Sequence, residues 1–265
     1  MAFVATVSVA GAWSRKCDEA VMIIASEHLT PEAGKVVKKY LGKSFADDVQ
    51  YLYDTERVQF KQMSKKDRKA AAEIHFLHLD SEFQPKNVKG KDALKATEQA
   101  LEIIRNRNSH SKAEVTTALR TVINLMCDMH NLSNVALEEF PLSGTNFEFM
   151  MTKGSARGKG GKLIPYRWKV LWTYRYPGFH AAYSPEMWAE ELDVMFGSKK
   201  AELSAGTLRE WVGDIGNYSK PIYARLYKDN NHFLHATIHS YDLFSMSCVG
   251  KASYRLAALL NETLK

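Results

Sequence analysis

The stretch KAEVTTALRTVINLMCDMHNL, residues 112–132, constrains this chain more than any other. Its apolar residues recur at helical spacing over about six turns of 3.6 residues each. It is the longest and most apolar such run, so it is predicted to be the central helix. Asp128 sits deep inside that run. A buried carboxylate needs a partner, and a metal ion, an Arg or a Lys will serve. Asn124 lies four residues earlier, so the two side chains share a face and could grip one ion. Neutral Asn is a poor ligand for zinc, which prefers His, Cys and carboxylate. The stretch reads either as a metalloenzyme's core helix or as what remains of one.

Helical periodicity dominates elsewhere too. Helices are predicted over 18–29, 31–41 (with Thr30 as N-cap, Pro31 in the first turn and Gly42 at the end), 90–107, 185–195, 203–228 and 231–264. Residues 65–79 begin as helix, and IHFLHLD (74–80) has the look of a strand. Helix is also expected over 166–174. Between Pro141 and Pro165 the pattern breaks into SGTNFEFMMTKGSARGKGGKLIP, read as a hairpin or a basic loop. The expected fold is one mainly α domain with a small β-hairpin or loop insert. A continuous β-sheet core would contradict it.

The first twelve residues, MAFVATVSVAGA, are uncharged and mostly apolar and end in Ala10-Gly11-Ala12. That is the pattern of a secretory signal cleaved between Ala12 and Trp13, with residues 13–265 as the remaining domain. No Lys or Arg precedes the run, which leaves an ordinary buried strand as the other reading. No run reaches the ~20 apolar residues of a membrane span. There are 36 Lys and Arg against 30 Asp and Glu, a net charge of +6 that mildly favours a polyanionic partner. Three cysteines, Cys17, Cys127 and Cys248, permit at most one disulfide.

Several segments, in order, resemble the zinc-dependent, single-strand-preferring nucleases of the S-one/P-one type, which share a helical fold with bacterial zinc phospholipases C. KASYRLAALLN (251–261) is similar to that family's closing A-G-x-R-L-A-x-x-L-N. MWAEEL (187–192), PIYARLY (221–227), HLTPEAGKVVKKYLG (28–42) and SGTNFEF (143–149) fit neighbouring family segments. The resemblance runs from about 13 to 264. It implies a mature N-terminal Trp whose free amine binds zinc, which gives cleavage before Trp13 a chemical purpose.

The same resemblance implies three zinc ions held by nine positions, and here this chain departs. Trp13, Asp47 (in FAD), His75 and Asp128 match. Asp18 stands for a His. Asn124 and Asn134 replace two histidines within NLMCDMHNLSN, and YRWKVLW (166–172) puts Trp168 and Trp172 where a His and an Asp belong. Indoles offer a metal nothing, so one ion is expected to be lost, with Trp168 and Trp172 filling its pocket against Asn134. Two ions bridged by Asp128 would suffice to activate a water. Oxygen-rich ligation admits Mn²⁺ or Mg²⁺ beside Zn²⁺. Asp18, Asp47, Asp128 and His75 are expected to converge in one cleft.

Blander readings stand beside these. Asp47 and Asp48 also suit a solvated cap, and His75 a hydrogen-bonded core histidine. His232, His235 and His239 share one face of a presumed helix, without an acid at ligand spacing. Cys17 and Cys127 adjoin Asp18 and Asp128; disulfide, extra metal ligand and buried thiol all remain open. TKGSARGKGGK (152–162) holds Lys153, Arg157, Lys159 and Lys162 and no acid, followed by Tyr166, Trp168, Trp172, Tyr174 and Tyr176. Lys159, Lys162, Trp168 and Trp172 are the candidate substrate contacts, since basic residues beside aromatics suit single-stranded nucleic acid.

Two functions follow. One is an exported (secreted or periplasmic), monomeric metal-dependent phosphodiesterase acting on single-stranded nucleic acid or nucleotides, with Asp47 orienting the attacking water. The other is a catalytically inactive relative that binds or scaffolds.

Overall fold

The computed structural model describes residues 13–42, 62–86, 88–89, 92–140, 148–153, 162–228 and 232–265. The expected signal segment, Asp47 and Lys159 lie outside them. The described part is mainly helical, with a single hydrophobic core.

The central helix is where periodicity put it. It spans Lys112–His130 and follows α1 (Arg15–Glu27), α2 (Pro31–Leu41), α3 (Lys65–Glu73) and α4 (Ala93–Arg105), so it is α5. Ser111 accepts from the Glu114 amide while Glu114 reaches back to the Ser111 amide, a reciprocal cap that fixes its start. Twelve of its residues are buried, and it packs against α1, α2 and α4 and against two later helices, α7 (Leu208–Lys228) and α8 (Asp242–Thr263). A helix surrounded on so many sides must be apolar nearly all round, which explains its composition. The remaining long helix, α6 (Pro185–Phe196), packs on α1 and α8.

Local chemistry accounts for most boundaries. Thr30 caps α2 with Pro31 at its first turn, and Gly42 closes it at φ 76°, a left-handed conformation that favours glycine. Ser64, Asp92 and Ser184 cap α3, α4 and α6 in the same way.

Four expectations need correction. The 231–264 helix is interrupted: His232–Leu234 is strand β5, followed by a short helix His235–Ser240 and then α8. His232 therefore does not share a helical face with His235 and His239. The 203–228 helix begins at Leu208, after a separate turn Lys200–Leu203. The expected 166–174 helix starts at Trp168 and contains a wide π-type turn, Leu171–Arg175, before Tyr176–Phe179. The hairpin insert is part of a larger arrangement: β3 (Glu148–Lys153) pairs antiparallel with β4 (Lys162–Arg167) and parallel with β5. A second, parallel pair joins β1 (Leu77–Leu79) to β2 (Val135–Leu137), immediately after α5. Both sheets are small, and neither replaces the helical core.

A polar lock ties α5 to the C-terminal helix. Arg255, 4% exposed, donates to the Leu203 carbonyl at 3.0 Å, faces His130 Nε2 at 3.1 Å and pairs with Asp214. His130 Nδ1 lies 2.8 Å from the Met126 carbonyl. Burial, and then the Arg255 charge, push the His130 pKa down to about 3, so the ring is a neutral acceptor for the guanidinium.

Candidate functional site

The last two turns of α5 and the 3-10 turn Leu132–Asn134 build the centre of the candidate site. Asp128 is wholly buried. One carboxylate oxygen lies 2.6 Å from His75 Nδ1, and the other accepts from the Asn134 amide at 3.1 Å. His75 reaches it because β1, just after it, pairs in register with β2, just after Asn134. The parallel pair thus clamps His75 and Asn134 on either side of one acid.

The other sequence-predicted positions gather around this trio. Trp13 is 1% exposed, and its indole donates to the Cys127 carbonyl at 3.2 Å. Its ring meets Trp172 edge-on at 6.5 Å, and Trp172 meets Trp168 at 5.5 Å. Asp18 is 7% exposed and hydrogen-bonds the Cys127 thiol; burial first, and then Asp18 and Asp128, raise that thiol's pKa well above its ordinary value. Asn124 lies one helical turn before Asp128, and its buried amide nitrogen has no hydrogen-bond partner among the described residues.

Trp168 and Trp172 are both wholly buried, so neither can stack on a nucleic-acid base, and their expected role as substrate contacts is corrected. They are core. The turn Trp168–Val170 packs against Leu132–Asn134, which follows Asp128. Lys169, between them, has its pKa lowered by burial, with the Asp128 charge pulling the other way. The site is interior, with His75, Asp128 and Asn134 each 0% exposed.

One participant was not read from the sequence. Tyr223 accepts from the Trp168 indole at 2.8 Å and donates to the Leu132 carbonyl at 2.8 Å, tying α7 to the site. Nothing in the local sequence hinted at it. Cys127, whose carbonyl meets Trp13 and whose thiol meets Asp18, is a free, buried thiol, one of the three readings its sequence left open; Cys17 and Cys248 are free and buried too.

These residues do not fit a three-zinc centre. Two atoms on one zinc, each about 2.0–2.2 Å from it, lie roughly 3 Å or more apart. The 2.6 Å His75–Asp128 contact is a hydrogen-bond length. Asn134 presents a donor to Asp128, and two indoles stand where a His and a carboxylate are needed. Among the described residues no group of three His, Cys, Asp or Glu side chains is placed to hold an ion. No described helix is long and apolar enough to cross a membrane.

Against known proteins, no family model matches the chain and no curated protein does.

Proposed function

We propose that the chain is a divergent member of the S-one/P-one nuclease superfamily that binds single-stranded nucleic acid, or a related polyanion, through its basic hairpin. The observation that carries the family part is convergence. Positions 13, 18, 75, 128, 134, 168 and 172, aligned on the family's ligands from sequence, lie in one buried neighbourhood. Their meeting is what that alignment leads one to expect, and it supports the family reading.

The binding part rests on the hairpin's register. Lys153 and Lys162 sit directly opposite each other at its end, and by sequence the segment between them adds Arg157 and Lys159 and no acid. Basic residues concentrated at one end of a hairpin suit a phosphate backbone, whose binding releases its condensed counterions. Further along the same segment Arg167, Tyr174 and Arg175 are exposed, with Tyr174 61% accessible as a stacking face.

Lys153→Glu tests this role. Fluorescence anisotropy with a labelled single-stranded oligonucleotide, titrated at several salt concentrations, reads the effect. The variant should bind more weakly and with a shallower salt dependence than the parent. Unchanged affinity and slope would remove the hairpin from the interface.

A further inference from the structure

We propose that a surface stack of Arg175, Phe179 and His239 is a platform on which a base of single-stranded nucleic acid lies while the hairpin holds its phosphates. The proposal rests on the hairpin reading for the phosphates and adds a second, separately removable contact for the bases.

Three side chains make the platform. The His239 ring lies 4.5 Å from the Phe179 ring, centre to centre, with only 18° between their planes. The Arg175 guanidinium lies over the same phenyl ring at 5.1 Å. Phe179 is half-buried and meets the buried Tyr176 edge-on at 6.0 Å, which anchors the stack. Arg175 and His239 are exposed. A surface imidazole ordinarily turns between rotamers. Held flat against an anchored ring, this one has its plane already set, so a base laid along it pays less ordering entropy. Aromatic rings, imidazoles and guanidinium planes are the groups on which unpaired bases stack.

The topology sets this stack near the basic end of the hairpin. β3 lies between β4 and β5, and both flanking strands lead into the stack. β4 runs on from Arg167 through Trp168 to Arg175 and Phe179. β5 runs on as the short helix His235–Ser240, which carries His239 and packs on β3. Leu234 pairs with Thr152, so that helix begins level with Lys153 and, across the hairpin, Lys162. At 1.5 Å of rise per residue, His239 follows Leu234 by roughly 7 Å, about the span of two phosphates along one strand. Two acids border these segments, and each has a partner. Glu148, at the other end of the hairpin, accepts from Arg167 at 3.3 Å, and Asp242, three residues after His239, faces His180 Nε2 at 3.3 Å. Arg175 in the stack and the lysines at the hairpin end supply charge complementary to phosphate.

The test compares two labelled probes by fluorescence anisotropy on the purified full chain. One is a short oligodeoxyadenylate; the other is an abasic oligonucleotide of the same length, which keeps the phosphates and lacks the bases. The parent should bind the first about fivefold or more tighter, the lower end of what one stacked base contributes. His239→Ala should remove that preference and leave abasic binding and its salt dependence unchanged. His239→Phe, which restores a flat ring, should bring the preference back, and Lys153→Glu should weaken both probes alike. In proton spectra the His239 ring signals should move upfield with the oligodeoxyadenylate and stay in place with the abasic probe. Should a variant fail to fold, the parent's preference and spectrum still decide. Equal affinity of the parent for the two probes would overturn the platform and leave the hairpin reading standing. A preference that survives His239→Ala would overturn it too, by placing the base elsewhere. Binding of neither probe would overturn both readings.

Discussion

At the scale of single residues, the sequence shows which chemical groups are available but not which way their hydrogens point. Asp128 was legible as a buried acid needing a partner, and His75 as a residue expected to lie near it, whereas Asn134 was expected to pack with Trp168 and Trp172. That Asn134 donates to it, and that His75 sits at proton-sharing distance, depends on side-chain orientation that only packing decides. Tyr223 shows the same limit, since its hydroxyl joins residues of three separate segments. The Asp214 cluster gives a prediction at this scale. Burial alone would raise the Asp214 pKa, but its bonds to Arg255 and Lys251 hold it below the ordinary 3.8. A folded-state pKa below the unfolded value adds stability at higher pH, and that stability is lost as pH falls through the folded pKa. Asp214 is partly exposed, so solvent screening keeps the effect modest. Urea melts of Asp214→Asn should therefore show lower stability than the parent at neutral pH, with the gap closing below about pH 4. A gap that stays constant across that range would mean the charge is not what Asp214 contributes.

At the scale of elements, helices were legible because a 3.6-residue period and its caps are written locally. α2, α4, α5 and α6 lie within a few residues of expectation for that reason. The break in the expected 231–264 helix was not legible, because β5 forms only by pairing in parallel with a strand some eighty residues earlier. An isolated HFL has no preference strong enough to announce that. The contact between α7 and the loop after β1 is similarly non-local. Phe83 adopts φ 62°, a left-handed conformation rare for a bulky residue, and its side chain presses on Gly216 of α7. A Cβ placed on Gly216 would lie 2.6 Å from the Phe83 Cβ, whereas one on Gly213, a turn earlier, meets nothing within 4 Å. The two Gly→Ala changes should therefore have opposite signs. Gly213→Ala should stabilise by up to about 1 kcal/mol through helix propensity. Gly216→Ala should destabilise by about 1–3 kcal/mol through overpacking. Equal effects in chemical denaturation would show that α7 does not sit against Phe83.

At the scale of the whole molecule, the question is whether the cluster around Asp128 belongs to the main core or is a local island held by its own polar contacts. Its aromatic wall answers in structural terms. Trp13 begins the described chain and touches Trp172 across more than 150 residues of sequence, and Trp172 touches Trp168. Trp168 then reaches Tyr223 on α7, and Trp172 reaches Phe244 on α8. The remaining two tryptophans are at most 4% exposed: Trp188 on α6, and Trp211 on α7 beneath the Arg255 guanidinium. All five thus report burial, three at the cluster and two away from it. A hydrogen-bonded, hydrocarbon-walled cluster continuous with the core should unfold only with the rest. Tryptophan emission should accordingly be blue-shifted and poorly quenched by acrylamide, and its thermal transition should coincide with the loss of helical circular dichroism. Trp188→Phe and Trp211→Phe together leave the cluster as the sole reporter, and the coincidence should hold in that variant too. If its fluorescence transition came earlier than the loss of helix, the cluster would be a separately melting unit, and the continuity of this aromatic chain with the core would not govern its stability.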